Sequence, residues 1–269
     1  MLLPRILTAV IGIPLVVYLV NLGGIPYSLF ILAIIALALY EYATLLRMGS
    51  RPVQVPVLMV FGLLLPAAMS LGNFGVYREG GDNYAGLFLV LPALAAFTAE
   101  FFYKQKYLER IAFTLMGVYG LAWPLWHMAA LRELRPDGKG LTFLMLVTVW
   151  FMDTAAYAAG RAFGSRQLSS ISPKKTWEGA IAGFAGAFIA VFAIRVFMKD
   201  TLSAPLAAWL AAAIGIGGQL SDLAESMIKR AVGAKDSSTL LPGHGGVLDR
   251  FDSYIFVAPL IYYIVVIAR

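Results

Sequence analysis

The sequence predicts an all-α fold, namely a polytopic integral membrane helical bundle of about nine transmembrane helices. Two observations come from composition: 60% of the 269 residues are hydrophobic and only 13% are charged, whereas a soluble domain carries about 25% charged residues. The third is a series of apolar runs, each close to the roughly 20 residues that cross a bilayer. The chain has no cysteine, which excludes a disulfide scaffold and thiolate chemistry.

The apolar runs justify the spans one by one. The first follows Arg5, lacks a small-residue cleavage site and is followed at once by another apolar run, so it is interpreted as a retained span and not as a signal peptide. Residues 1–140 hold about five spans, and residues 141–269 hold the rest together with most of the clustered charge. The predicted spans are 6–22, 25–46, 53–72, 84–103, 108–131, 141–163, 177–198, 204–232 and 252–268.

The distribution of lysine and arginine predicts the orientation in the membrane. With a cytoplasmic N-terminus, most of these residues fall in cytoplasmic loops, as the positive-inside rule requires. The net charge of +6 is then explained by basic loops and anionic headgroups, and no nucleic acid partner is expected. We expect a multi-pass protein of the inner (cytoplasmic) membrane, with its charged site facing the cytoplasm.

A first charged segment lies inside the sixth predicted span. Asp153 is expected to be buried among apolar residues, which is costly unless the carboxylate meets a cation or a polar partner. Tyr157, Gly160 and Arg161 follow at helical spacing and share its face. The alternative is a hydrogen bond between two helices.

A second segment, residues 172–179, precedes the seventh span. Pro173 favours a turn and Thr176 is suited to cap the next helix. Lys174 and Lys175 would then lie beside a helix N-terminus, an arrangement that suits phosphate. The alternative is that these lysines serve only as a topology signal.

The third segment runs from 221 to 252. Asp222, Ser226 and Lys229 lie about one helical turn apart on one face. Asp222 and Asp249, on different helices, could share a divalent metal that bridges phosphate oxygens. The alternative is a salt-bridged loop. The segment also contains a glycine-rich turn that permits close backbone approach and several cations suited to phosphate, namely Gly243, Gly245, Gly246, Arg230, Lys235 and Arg250.

Other features receive structural interpretations. Glu41 and Glu100 lie near span ends, where carboxylates reach headgroup water, and no role is assigned to them. Gly179, Gly183 and Gly186 form a small-residue face, which permits close helix contact either within one chain or between two protomers.

The charged segments carry a resemblance. Ser226-x-x-Lys229-Arg230, then Lys235-Asp236, then Leu241-Pro242-x-His244-Gly245-Gly246-x-x-Asp249-Arg250-Phe251-Asp252 resembles the signature of phosphatidate cytidylyltransferases, also called CDP-diacylglycerol synthases. The segments at 153–157 and 172–179 match the same family in the same order. By motif, the resemblance covers roughly residues 145–255, and the N-terminal half agrees only in being several spans.

The resemblance implies that CTP and phosphatidic acid give CDP-diacylglycerol and pyrophosphate with Mg²⁺, a second cation being left open. CTP, phosphatidic acid and membrane lipid are the implied partners, and a homodimer is expected. The catalytic residues would be Asp222, Asp249, Lys229 and Arg250. The metal ligands would be Asp222, Asp249 and Asp153. The substrate-binding residues would be Lys174, Lys175, Ser226, Arg230, Lys235, His244, Gly245 and Gly246.

Two alternatives stay open from the sequence. A related enzyme could use CTP with another lipid, such as an ether lipid or a polyprenol. A transporter would also place carboxylates within its spans. Transport would leave the glycine-rich turn and the cytoplasmic cations unexplained.

Overall fold

The computed structural model describes residues 3–73, 84–240 and 245–269, and these residues are almost entirely helical. Within them the sole extended pairing is an isolated antiparallel bridge between Gln167 and Thr176. The helices are α1 Leu3–Leu22, α2 Gly24–Met48, α3 Val55–Asn73, α4 Tyr84–Glu100, α5 Leu108–Gly117, α6 Trp123–Glu133, α7 Gly138–Phe163, α8 Trp177–Arg195, α9 Ala204–Ala231 and α10 Leu248–Ile267.

A π-helical segment, Val118–Ala122, joins α5 to α6 without a break. Pro124, in the first turn of α6, has no N–H to donate to the preceding turn. The wider turn lets the chain pass this proline and continue. The three segments together occupy the region of the single predicted span at 108–131.

Among the described residues, five helices are long and apolar enough to cross a membrane, and three further apolar stretches are shorter. A membrane helical bundle is therefore confirmed as the fold class, while the number nine stays a prediction. The five are α2, α7, α8, α9 and α10, and the shorter stretches are Val10–Leu22, Val55–Ser70 and Gly86–Glu100.

Helices α7 to α10 form a packed group in which α8 contacts both α7 and α9, and α10 contacts both α9 and α6. The small-residue face of α8 is part of this packing. A Cβ at Gly183 would lie 3.0 Å from the Cβ of Ala156, and one at Gly179 would lie 2.7 Å from the Ala156 carbonyl oxygen. Helix α7 of the same chain therefore covers this face, which does not offer a seam between protomers.

Helix α2 is the N-terminal helix most deeply set in the core. Ile35, Ala38, Leu39 and Tyr42 on it are fully buried, and α2 contacts α3, α6 and α10. Glu41 lies in the same stretch and is 1% exposed, and Glu100 on α4 is 5% exposed, so the prediction that these two carboxylates reach headgroup water is wrong. The position of Glu41 brings a carboxylate from the N-terminal half to the start of α10.

The start of α10 differs from the sequence expectation. The helix begins at Leu248, four residues before the predicted boundary at 252. The backbone N–H groups of Val247 and Leu248 donate to the Glu41 carboxylate, which satisfies first-turn donors that have no partner inside the helix. Asp249 and Asp252 consequently lie on the first two turns of a helix.

Candidate active site

A cavity of about 380 Å³ lies between α7, α8, α9 and the loop that precedes α8. Its volume falls within the roughly 300–1,000 Å³ of small-molecule sites. It is lined by Asp153, Ala156, Tyr157, Gly160, Arg161, Leu168, Lys174, Lys175, Thr176, Gly179, Ala180, Gln219 and Asp222. Two of the charged segments noted in the sequence, together with Asp222 of the third, thus meet at one place.

Helix α7 supplies one wall. Asp153, Tyr157, Gly160 and Arg161 share a face, as their spacing predicts, and the Arg161 Nη1 donates to the Tyr157 Oη at 3.3 Å. Asp153 is exposed on the wall of this cavity, which corrects the expectation that it is buried. Its carboxylate is therefore accessible to a ligand that enters the cavity.

The loop before α8 supplies the lysines. Thr176 caps the helix, its Oγ1 accepting from the Gly179 N–H at 3.2 Å, which confirms the predicted cap. Backbone hydrogen bonds from Leu168 N to Lys175 O (2.8 Å) and from Trp177 N to Arg166 O (2.9 Å) shape the loop. Lys174 and Lys175 are thereby held on the cavity wall beside the N-terminus of α8.

Helix α9 supplies the opposite wall through Gln219 and Asp222. The Lys175 Nζ lies 2.6 Å from the Asp222 Oδ2, and the Ser226 hydroxyl is 3.5 Å from the Asp222 Oδ1. Gln219 is anchored by donating its amide to the carbonyl oxygens of Ala180 (3.1 Å) and Gly215 (2.7 Å). An amide group therefore lies beside the charged pair.

A second cluster is centred on Lys229. Its Nζ lies 2.6 Å from the Asp249 Oδ1 and 2.5 Å from the Glu225 Oε2. The Asp249 Oδ2 accepts the Ser237 N–H at 2.9 Å, the Ser237 hydroxyl at 2.8 Å and the Gly246 N–H at 2.8 Å. Both oxygens of Asp249 are therefore engaged, and Asp222 and Asp249 each pair with a different lysine.

Within the part of the chain that the structure describes, the carboxylates of Asp153, Asp222 and Glu225 all lie close enough to Asp252 to interact with it electrostatically. Across residues 3–73, 84–240 and 245–269, no group of three or more acidic or histidine side chains is gathered closely enough to hold a metal by itself. Mg²⁺ in phosphate chemistry is bound by one or two carboxylates, water and the substrate phosphates. Asp153 and Asp222, on walls of one cavity, fit that requirement.

Comparison with known proteins is decisive for the family. The family model described as "Cytidylyltransferase family" matches residues 3–268. The chain belongs to this family. It is 35% identical to a phosphatidate cytidylyltransferase of Synechocystis, covering 98% of this chain and 96% of the relative. It is 30% identical to one of Bacillus subtilis (97% and 96%) and 34% identical to one of Staphylococcus haemolyticus (96% of each).

Membership makes this cytidylyltransferase a nucleotidyltransferase, and the resemblance stated from its sequence motifs is confirmed. The match also extends the likeness beyond the C-terminal motifs, because it includes the N-terminal helices. A helix such as α2 is therefore part of what the family shares.

The remaining predicted site residues of the cytidylyltransferase lie around the loop between α9 and α10. Arg230 donates from Nη1 to the Ala234 carbonyl at 3.0 Å and from Nε to the Ile171 carbonyl at 3.4 Å, so it ties this loop to the loop before α8. Lys235 and Arg250 are exposed. Gly243 and His244 lie outside the described residues.

Gly245 and Gly246 are each suited to their position in this loop for a different structural reason. Gly245 has φ +80°, a left-handed conformation that glycine adopts without a Cβ penalty. Gly246 is required by close approach, because a Cβ there would overlap the Ser237 hydroxyl and the Glu41 carboxylate. The predicted close backbone approach is thus real, and within the described residues it is directed at protein side chains.

Two carboxylates of the site were missed from the sequence. Glu225 lies four residues before Lys229 on α9 and shares its face, a local signal that could have revealed the ion pair. Glu41 contacts groups about 200 positions away along the chain. The sequence signals Glu41 only as a carboxylate within an apolar run. Such a carboxylate is costly in a membrane, which indicates that it has a polar partner.

Proposed function

We propose that this cytidylyltransferase transfers CMP from CTP to phosphatidic acid, forming CDP-diacylglycerol and releasing pyrophosphate. The observation that carries the proposal is the cavity between α7, α8 and α9. It combines Lys174, Lys175 and a helix N-terminus, which suit phosphate, with Asp153 and Asp222, which suit a divalent cation. The names of the full-length relatives support the same acceptor lipid.

The surroundings of the cavity suit a substrate that is half lipid. The helices α7, α8 and α9 that form it are all apolar enough to cross a membrane. Tyr157, Phe163 and Trp177 lie exposed at the same end of α7 and α8, and aromatic residues favour the membrane interface. Acyl chains can therefore stay in the bilayer while the headgroup enters the charged cavity and CTP arrives from water.

The reaction needs no protein nucleophile. The phosphate monoester of phosphatidic acid is already ionised near neutral pH. One of its oxygens forms a bond to the α-phosphorus of CTP, and the bond from that phosphorus to the β-phosphate oxygen breaks, so pyrophosphate leaves with the electron pair. The protein must align two anions and offset their repulsion. Lys174 and Lys175 do this at the cavity. The other cations lie at the end of α9, in the loop after it or on the first turn of α10, namely Lys229, Arg230, Lys235 and Arg250.

Mg²⁺ fits the donor set at the cavity. Asp153 and Asp222 would hold it, and when bound it would neutralise charge on phosphate oxygens. Asp252 interacts electrostatically with both carboxylates, and this added negative charge would favour a second cation. Asp249 was predicted as a ligand, but its oxygens already receive Lys229, two groups of Ser237 and the Gly246 N–H. We therefore assign Asp249 to the support of Lys229 and of the loop.

We also infer that the site faces the cytoplasm of the inner membrane, because CTP is cytoplasmic and the basic loops follow the positive-inside rule. The cysteine-free chain offers a direct test. A single cysteine placed by Lys235→Cys should react with an impermeant maleimide in inside-out vesicles and not in right-side-out vesicles. The reverse pattern would place this loop outside.

We also propose a homodimer. The glycines of α8 are not proposed as its interface. Mass photometry of the purified protein in nanodiscs should show two copies per disc at saturating protein. A single copy at every protein-to-lipid ratio would remove the dimer.

The activity is tested with purified protein, labelled CTP, Mg²⁺ and lipid vesicles. Label should pass into the lipid phase with phosphatidic acid, together with stoichiometric pyrophosphate. Matched vesicles containing a phosphorylated ether lipid or a polyprenol test the related enzymes. Uptake of label into the vesicle lumen without a lipid product would indicate transport instead.

A further inference from the structure

Glu41 is a buried carboxylate whose two oxygens both receive hydrogen bonds. Its Oε1 accepts the Ser238 hydroxyl at 2.6 Å and the Val247 N–H at 2.9 Å. Its Oε2 accepts the Leu248 N–H at 2.7 Å and contacts the Ser237 hydroxyl at 3.1 Å. A side chain of α2 is thus fully engaged by residues near the C-terminus.

The four donors come from both ends of one segment. Ser237 and Ser238 follow α9, whereas Val247 and Leu248 open α10. One carboxylate therefore joins the two ends of the segment 237–248. It also places negative charge at the N-terminus of α10, where the helix dipole favours it.

Ser237 connects Glu41 to Asp249. Its hydroxyl lies 3.1 Å from the Glu41 Oε2 and 2.8 Å from the Asp249 Oδ2. A hydroxyl has one hydrogen, so the Ser237 hydroxyl donates to only one of these two carboxylates at a time. Asp249 in turn holds Lys229. A continuous polar path therefore runs from α2 through Ser237 and Asp249 to α9.

The backbone around Glu41 is suited to hold this path in place. Leu39, Tyr42 and Leu45, beside it on α2, are fully buried. The Tyr42 hydroxyl also donates to the Phe113 carbonyl at 2.9 Å. A carboxylate mounted on a packed helix has little freedom to move, which is the condition for positioning other groups precisely enough for chemistry.

We infer that Glu41 is a positioning residue of the active site. It fixes Ser237 and Ser238 after α9 and the first turn of α10, and through Ser237 and Asp249 it fixes Lys229. It acts through these groups and does not touch substrate. The inference rests on the proposed function for its kinetic part, and on the contacts alone for its structural part.

Glu41→Gln is the first test. The amide keeps the size but offers one acceptor oxygen and turns an NH₂ group towards backbone donors, leaving a buried N–H of α10 without an acceptor. We expect kcat to fall by about 10- to 100-fold, the range of outer-shell substitutions. The KM values for CTP and phosphatidic acid should stay within about twofold, because Lys174 and Lys175, which line the cavity, lie on a different loop.

Glu100→Gln is the matched control. Glu100 is also a buried carboxylate of the N-terminal half, and it accepts the Tyr107 N–H at 2.9 Å and the Gln54 amide at 2.8 Å. Its ion pair with Arg110 (2.8 Å) joins α4 to α5, away from the segment 237–248. We expect a lower melting temperature with kcat unchanged. Equal losses of kcat in the two variants, or unchanged kcat in Glu41→Gln, would overturn the inference.

A milder variant keeps the test decisive if Glu41→Gln does not fold. Ser238→Ala removes one donor to Glu41 and leaves both backbone hydrogen bonds. We expect kcat to fall by about threefold with KM unchanged, which is the effect of losing roughly one hydrogen bond of about 0.7 kcal/mol. Wild-type kcat in a folded Ser238→Ala variant would count against the inference.

Hydrogen exchange provides a readout that does not need a product. Peptides covering 245–250 should exchange faster in Glu41→Gln than in the wild type, and should be unchanged in Glu100→Gln. Unchanged exchange at Val247 and Leu248 in Glu41→Gln would refute the structural part. If the wild type makes no CDP-diacylglycerol, the proposed function fails while this measurement still decides whether Glu41 fixes the start of α10.

Discussion

The Lys175 Nζ lies 2.6 Å from the Asp222 Oδ2, which joins the loop before α8 to the middle of α9 across the cavity. Both side chains are about one-third exposed or less, so the ion pair is within reach of a substrate. A phosphate that enters can take the lysine, and a cation can take the aspartate. The pair therefore holds both groups in place before either has its ligand.

Asp222→Asn tests the negative charge of Asp222, because asparagine keeps the size and shape of the side chain and removes its charge. We expect turnover to fall by about 10²-fold or more, because charge on the transferring phosphoryl group is then less stabilised. The rate is measured as labelled CDP-diacylglycerol over a Mg²⁺ titration. Asp200→Asn, on an exposed loop between α8 and α9, is the control and should keep wild-type turnover. Wild-type turnover in Asp222→Asn at ordinary Mg²⁺ would remove Asp222 from the metal site.

Lys174→Ala and Lys175→Ala test phosphate binding. Each removes a cation from the cavity wall, so we expect the KM of CTP or of phosphatidic acid to rise by about tenfold, corresponding to about 1.4 kcal/mol. Separate titrations of the two substrates identify which anion each lysine binds. Lys199→Ala, a basic exposed residue beyond the other end of α8, should change neither constant. If Lys174→Ala and Lys175→Ala behave like this control, the two lysines serve only to set the orientation of the chain in the membrane.

Lys229→Met tests the second cluster through stability. It leaves the side chains of Glu225 and Asp249, which are 0% and 9% exposed, without their cation. Breaking a buried pair in this way costs about 3–5 kcal/mol, so a clear drop in melting temperature is expected together with loss of activity.

The double variant Lys229→Met/Glu225→Gln discriminates the two effects. Neutralising Glu225 removes one unpaired charge, so part of the lost melting temperature should return while activity stays absent. Recovery of activity in the double variant would show that Lys229 serves stability only.

Gly183→Leu tests the packing of α8 on α7. Because a Cβ at this position already lies 3.0 Å from the Ala156 Cβ, a leucine must push the helices apart at a cost of about 1–3 kcal/mol. Thermal unfolding in detergent measures this cost, and the oligomeric state should not change. Gly12→Leu is the control, since nothing lies within 4 Å of a Cβ there. If the Gly183→Leu protein has normal stability but no longer forms a dimer, the small-residue face of α8 lies between protomers.

Local patterns in the sequence were sufficient for most of the helices and for the cavity walls. Hydropathy located the apolar helices, the sequence before α8 gave the Thr176 cap, and helical spacing gave the shared face of Asp153 and Arg161. These features depend on residues within a few helical turns of each other, which is why they can be predicted from the sequence alone.

Features that depend on distant contacts were not predictable in the same way. Hydropathy placed the start of the last span at 252, because the charged residues before it resemble a loop. The partner that lets the helix begin at Leu248 is Glu41, which is 207 positions away along the chain. The donors that Ser237 and Gly246 provide to Asp249 were likewise not predictable, because no local pattern in the sequence brings these residues together.

The contact between Glu41 and the start of α10 sets an order for biogenesis. Ser237 and Glu41 are 196 positions apart, so α2 is synthesised and inserted long before its partners leave the ribosome. Until α10 arrives, a carboxylate in an apolar helix lacks its four donors, a costly state in a membrane. Insertion of α10 therefore supplies the backbone donors of Glu41 and fixes the first turn of α10 in a single event.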